Sequence, residues 1–330
     1  MKSFVCALGV VVCCIMIVAP LALADRGMIS AHPDVSVYEP GQKAILAWNG
    51  REEVMILSTD VKASGNTKAL EIVPFYSKPR IEKGDFGSFK TLQDLFLPSS
   101  GTGEEKLAQE GKTTIEIVSH ELIGSHDLTT IFIKFSSEAP KWFPTGEHAK
   151  EFEDFVIPYL KKVGMSSITF PNNLDEILYH YDQGSNYEGF YCVLDVIDIS
   201  AEEKSITPLV YTFETDYLYY PLVISRLTGG ETKIQLYVIM EGIPDVLAVR
   251  GWGPISLFEL GYVYDFAGNR LYSMIRPLSA DELRKIDAQV AALFFQSEDR
   301  VYVTALSFEG SPDVFRDDIR TNRAVRLFTI

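Results

Sequence analysis

Two histidines with acids beside them are the densest chemistry in this chain: Ser119-His120-Glu121, then Ser125-His126-Asp127. A zinc protease needs H-E-x-x-H, because histidines four apart share one helix face and the glutamate between them activates metal-bound water. Here the second histidine falls too far along, Gly124 lies between, and both flanks read as strands, so that geometry fails. Two roles stay open. His120 and His126 can hold a metal across a tight turn with Asp127 or a remote carboxylate, as in a metal-assisted hydrolase. Otherwise the Asp and Ser side chains simply cap a hairpin.

Other motifs are weaker. Gly111-Lys112-Thr113-Thr114 ends like a phosphate-binding loop, but Lys106 stands where its first glycine belongs and a strand follows instead of a helix. No G-x-S-x-G elbow exists to present a serine nucleophile. Cys192 sits in the strand-like run Gly189-Phe190-Tyr191-Cys192-Val193-Leu194 without a cationic neighbour in sequence, and reads as a small buried hydrophobe. The run Thr215-Asp216-Tyr217-Leu218-Tyr219-Tyr220-Pro221, with Trp252 in Gly251-Trp252-Gly253-Pro254, allows an aromatic platform for sugars or peptides, Asp216 accepting their hydrogen bonds. The competing reading is that these aromatics fill a sheet core.

The elements that must position these residues follow from hydrophobic period. Lys43 to Trp48 and Glu53 to Thr59 are apolar runs joined at Asn49-Gly50, a hairpin signal, and Lys68 to Val73 is a third strand. Ser88 opens a short helix carrying Phe89, Leu92, Leu95 and Phe96. Pro98 to Lys112 reads as a polar loop. Thr113 to Glu121 and Leu128 to Phe135 read as strands around a Gly124-Ser125-His126-Asp127 turn. Helical spacing runs from Ala149 to Val163, with a kink expected at Pro158, and from Leu174 to Tyr181, capped by Asn173 with Glu176 and ended by Gly184. Tyr220 to Arg226 and Lys233 to Met240 read as a hairpin through Thr228-Gly229-Gly230. Ser279-Ala280-Asp281-Glu282 is a capping box for one helix continuing through Leu283, Ile286, Val290, Leu293 and Phe294, and Arg300 to Phe308 is a final strand. Strand blocks broken by helical blocks predict an α+β fold, with antiparallel β-rich sheets or a sandwich and a few packed helices.

Residues 1–24 read as a signal peptide: Lys2, an apolar run from Phe4 to Ala19, the breaker Pro20, and Ala22-Leu23-Ala24 before Asp25. The alternative is an uncleaved N-terminal membrane anchor, because Ser3 to Ala24 is long enough to span a bilayer. A lipoprotein using Cys13 or Cys14 is disfavoured by bulky Val12. No later segment is apolar enough to span, so no transmembrane segment is expected after signal removal. Cys6, Cys13 and Cys14 leave with the leader, and Cys192 alone cannot form an intrachain disulfide. Residues 25–330 then form a secreted module, divisible into a β-rich part (25–112) and an α+β part (113–330). The net charge of −15 repels phosphate backbones, so nucleic acid is excluded as a partner. A Ca²⁺-stabilised wall protein would lack the spacing of a calcium hand here.

Ordered short blocks carry a resemblance. Ile72-Val73-Pro74, Ser77-Lys78-Pro79-Arg80-Ile81 and Phe89 to Leu95 come first, followed by Ile123-Gly124-Ser125-His126-Asp127-Leu128 and a helix ending at Gly164. Leu174 to Tyr181 with Gly189-Phe190-Tyr191, Thr207-Pro208-Leu209-Val210-Tyr211-Thr212-Phe213 and Tyr220-Pro221-Leu222-Val223-Ile224 continue the series. Val301-Tyr302-Val303-Thr304 and Ser311-Pro312-Asp313 complete it. This order, from about Lys43 to Ile319, resembles an uncharacterised family of secreted prokaryotic proteins, domain of unknown function 2330. Typical members carry cysteines just after the leader, whereas Asp25-Arg26-Gly27-Met28-Ile29 has none. The resemblance implies export and one module, and supplies no catalytic, cofactor-binding or metal-binding residues. The expected function is an exported envelope or extracellular protein that binds an unknown envelope or extracellular ligand or serves structurally, without catalysis or cofactor. The alternative is a secreted metal-assisted hydrolase centred on His120, His126 and Asp127.

Overall fold

The computed structural model describes residues 27–96, 116–135, 146–186, 188–228, 231–244, 259–260, 262–264, 270–273, 275–297, 300–322 and 324–325. The leader (1–24), the loop expected at 98–112, Gly229-Gly230 and Trp252 lie outside these residues.

The architecture is α+β and β-rich, as the block pattern predicts. The first half supplies β1 (Gly27–Ser30), β2 (Val37–Trp48), β3 (Glu52–Ala63), β4 (Thr67–Phe75), β5 (Arg80–Lys83), α1 (Phe86–Phe96), β6 (Glu116–Ile123) and β7 (His126–Ile133). Helices α2 (Glu147–Lys162) and α3 (Leu174–Gly184) follow, then β8 (Phe190–Ile199), β9 (Lys204–Ser205), β10 (Leu209–Glu214), β11 (Leu218–Tyr220) and β12 (Thr232–Glu241). The last part holds β13 (Ile243–Pro244), β14 (Glu259–Leu260), β15 (Tyr262–Tyr264), β16 (Arg270–Ser273) and β17 (Ile275–Pro277). It closes with α4 (Ala280–Ile286), α5 (Ala288–Leu293), β18 (Val301–Gly310), β19 (Ile319–Thr321) and β20 (Ala324–Val325).

One sheet runs β1-β4-β8-β7-β6, and a larger one runs β14-β18-β12-β2-β3-β10-β5, with β17 and β9 attached. The pairings are antiparallel except β12 with β2, which is parallel. Strands from 25–112 and from 113–330 pair with each other within both sheets: β4 pairs β8, while β3 pairs β10. The two stretches therefore share one pair of sheets.

Four layers result. Ala44, Leu46 and Trp48 of β2, Met55 and Leu57 of β3 and Leu236 and Val238 of β12 meet Val73, Phe75, Leu128 and Val193 of the smaller sheet. The opposite face of the larger sheet, with Ile45, Ile56 and Ile239, is covered by Phe89, Leu92, Leu283, Ile286 and Val290 of α1, α4 and α5. The outer face of the smaller sheet, with Leu70, Ile131 and Leu194, is covered by Phe152, Val156, Leu160, Ile177 and Leu178 of α2 and α3. Burial on both faces explains why Ala44-Ile45-Leu46-Ala47 and Val54-Met55-Ile56-Leu57 are continuous apolar runs with no polar alternation.

Several sequence expectations change. Tyr220 to Arg226 is no strand: β11 ends at Tyr220, and Val223–Leu227 is a 3₁₀ turn. The amides of Val223 and Ile224 are taken up by Asp318 Oδ1 (3.0 Å) and Tyr181 Oη (3.2 Å), so a hairpin ladder loses its donors. Asn173 does not cap α3 with its side chain; its amide donates to the Arg226 carbonyl at 2.6 Å, and Glu176 pairs with the Arg226 guanidinium. Gly184 is the last residue of α3, as expected, and its missing Cβ also matters for space: a methyl there would overlap the Tyr76 hydroxyl and the Arg320 guanidinium. The capping box forms as expected, but the helix divides at Asp287, whose extended backbone breaks α4 and whose carboxylate caps α5 through the amides of Gln289 and Val290.

Candidate functional site

His126 and Asp127 do not form the expected turn. The turn is Gly124-Ser125, where Gly124 takes positive φ, and both residues belong to β7. Strand alternation sends their side chains to opposite faces, so the expected trio of His120, His126 and Asp127 does not converge. His126 points between the sheets with Leu128, while Asp127 and Thr129 face α2.

His126 is 3 % exposed. Its Nδ1 lies 2.5 Å from Asp195 Oδ2 of β8, and its Nε2 lies 2.8 Å from the Thr207 carbonyl just before β10. A carbonyl only accepts, so Nε2 carries its hydrogen, and the proton between Nδ1 and Oδ2 makes an imidazolium–carboxylate pair. Burial opposes that charge, yet the hydrogen bond and field of Asp195, with the Thr207 carbonyl and buried Glu71, hold the imidazole above its ordinary pKa. Glu71 faces Asp195 directly across β4–β8. His126 thus clamps the smaller sheet to the segment entering the larger one, and both ring nitrogens are committed to that clamp.

His120 is half-exposed on β6. Its Nδ1 is 3.0 Å from Thr129 Oγ1, which donates to Tyr159 Oη of α2 at 2.7 Å; that hydroxyl donates to Asp127 Oδ1 at 3.4 Å. Asp127 Oδ1 returns to His120 Nδ1 at 3.5 Å and closes the ring of four side chains. The ring ties α2 to the sheet edge and leaves Nε2 as the His120 nitrogen outside it.

His148, in the first turn of α2, is buried between Asp182 (3.5 Å) and Asp175 (4.0 Å) of α3, and packs edge-on against Phe135 and Tyr179. Asp175 also accepts from the amides of Gly146 and Ala149, capping α2 from its neighbour. Among the described residues no group of three or more His, Cys, Asp or Glu side chains has the arrangement of a metal site.

Cys192 is 1 % exposed within the α2–sheet core, and burial pushes its thiol well above the ordinary range. A buried neutral thiol is a poor nucleophile. Aromatic disulfide reagents should therefore label Cys192 only as fast as the protein opens. Stopped-flow labelling in rising urea checks this, and a fast urea-independent phase would contradict it.

Among the described residues a larger polar constellation gathers around Asp318, a residue in none of the sequence motifs. Asp318, 2 % exposed, accepts from Val223 N (3.0 Å), Tyr181 Oη (3.1 Å) and Tyr219 Oη (3.4 Å), with His180 Nε2 and Arg320 Nη2 each at 3.8 Å. Arg320 of β19 lies over the Tyr76 ring, 4.2 Å from its centroid, donates to the Tyr76 hydroxyl and reaches toward Tyr217. Burial first, then the Asp318 charge, raises the pKa of Tyr76, Tyr181 and Tyr219. Beneath them Glu53 accepts from Tyr219 N at 2.7 Å, and its burial raises its pKa well above the usual carboxylate range. Of the expected aromatic platform, Tyr219 and Tyr220 are core residues, Tyr217 is half-buried at the rim, and Asp216 is exposed beside it. A signal for the buried acids was available: Asp195 and Glu71 each interrupt an otherwise apolar strand, as Val193-Leu194-Asp195-Val196 and Leu70-Glu71-Ile72. Such an acid requires a buried partner.

No protein family, curated protein or solved structure matches the chain. Among the described residues no helix is long and apolar enough to cross a membrane.

Proposed function

We propose that this chain is an exported protein of the cell envelope or extracellular space that acts by binding or assembly, without catalysis, and that it is kin to the secreted domain-of-unknown-function family it resembles. The observation that carries the reading is the fate of its reactive groups. Both His126 nitrogens are spent on an inter-sheet clamp, Cys192 is sealed in the core, and Asp318 organises tyrosines and backbone. Groups so bound position structure; they do not meet substrate. Recognition then falls to the rims, where Tyr217 and Asp216 stand at one end and Ile117 and Leu122 are exposed on edge strand β6.

A second reading, a secreted metal-assisted hydrolase, draws on one observation: His120 is half-exposed, with its Nδ1 held by Thr129 and Asp127, the kind of hydrogen bonding that orients a metal-ligating histidine. The test uses the secreted chain, produced with its own leader. Pull-down on isolated cell-wall material should retain it, and ester, amide and phosphoester substrates with added Zn²⁺ should show no turnover above the His120→Ala variant. Turnover lost in that variant would overturn the binding reading in favour of the hydrolase.

A further inference from the structure

The tip of the β2–β3 hairpin, a core element of the larger sheet, is the sequence's one Asn-Gly dipeptide. Asn49 Oδ1 accepts from the amides of Arg51 (3.0 Å) and Glu52 (2.9 Å), and Asn49 Nδ2 donates to the carbonyl of Leu293 at the end of α5 (3.2 Å). Gly50 has φ +94° and is exposed, with no heavy atom within 4 Å of where a Cβ would stand. Two backbone N–H groups therefore aim at the oxygen of a side-chain carbonyl whose carbon lies next in the chain to an unhindered amide nitrogen. Donors placed in that way stabilise negative charge developing on a carbonyl oxygen under attack.

We propose that Asn49-Gly50 is a self-modification site, where the turn that shapes the hairpin also promotes deamidation. The Gly50 amide nitrogen gives its proton to water and attacks Asn49 Cγ, and the oxyanion on Oδ1 rests on the Arg51 and Glu52 amides. The Cγ–Nδ2 bond then breaks and ammonia leaves with a proton, closing a five-membered imide between residues 49 and 50. Water opens the ring at either carbonyl, giving aspartate or its iso form, and no electron changes hands. At Asn66 in the next turn the same attack is much slower, because the following amide belongs to β-branched Thr67, whose side chain crowds it.

The modification has a structural readout. Aspartate at 49 still accepts from Arg51 and Glu52, but it has no hydrogen for the Leu293 carbonyl, so two acceptors face each other and the end of α5 loses its tie to the hairpin. The iso form adds a backbone methylene to the turn.

The experiment holds the full mature chain in mildly alkaline buffer, folded or unfolded in urea, digests it under acidic conditions and follows peptides by mass spectrometry. The Asn49 peptide should gain the mass of amide-to-acid exchange, at least as fast folded as unfolded, while the Asn66 peptide converts much more slowly in the folded protein. Asn49→Gln, which would need a larger ring, should lose the gain. Slower conversion in the folded protein would mean that the turn shields the amide, and overturns the proposal; so does no conversion, or equal conversion at Asn66.

Discussion

Replacing Asp318 with alanine should remove about 3–5 kcal/mol of unfolding free energy, the cost of breaking a buried charged network on one side. The change leaves the Val223 amide and the Tyr181 hydroxyl without their acceptor, at about 1–3 kcal/mol for each buried orphan, while the Tyr219 hydroxyl keeps the Pro74 carbonyl at 3.0 Å. It also removes the carboxylate that holds Arg320 over Tyr76. Against a typical total of about 5–15 kcal/mol this is a large share, so Asp318→Ala is expected to be soluble only at low temperature. Asp318→Asn keeps one acceptor oxygen and the shape, and should lose less than half as much. Urea unfolding of both variants against the parent measures the difference. An unchanged midpoint in Asp318→Ala would show that the tyrosine cluster contributes nothing.

The His126–Asp195 clamp should make stability fall as pH rises. A histidine whose folded pKa lies above its unfolded value of about 6.5 stabilises fully below that value. The contribution disappears as pH climbs through the raised folded pKa, because the proton that makes the pair is lost from the folded state. Asp195 and Glu71 are the charged groups facing the imidazole, and both favour the protonated ring. Unfolding free energy measured from mildly acid to mildly alkaline pH should therefore slope downward through neutrality, and His126→Gln should flatten the slope. His126→Ala strands Asp195 in a dry gap and should cost about 3–5 kcal/mol at neutral pH, the loss seen when one member of a buried pair is removed. A parent and a glutamine variant with identical pH profiles would refute the ion-pair assignment.

Much of the local structure was legible. The β2–β3 hairpin at Asn49-Gly50, the apolar stripes of α2 and α3 and the capping box at Ser279 stand where period and turn chemistry place them. Local reasoning failed wherever a distant side chain competed for a backbone donor or a cap. The apolar run Leu222-Val223-Ile224 reads as strand, yet Asp318 and Tyr181 claim the amides of its last two residues and a 3₁₀ turn results. Asn173 reads as a cap, yet the Arg226 carbonyl takes its amide.

The histidine cluster shows the same division. Its residue types were plain, and so was their closeness along the chain, but closeness along a strand says little about a shared site. A one-residue step reverses the face, which sends His126 to the gap between the sheets and Asp127 to the helix side. Asp195 and Asp318, which decide what these groups do, arrive from 69 residues beyond His126 and 137 residues beyond Tyr181. The amino-acid order by itself determined the class, the strands and helices, and the acids that would need partners, because period, propensity and capping act over a few residues. Only the packing of two sheets between helices decided which partner each buried charge received, since that depends on contacts between segments far apart in the chain.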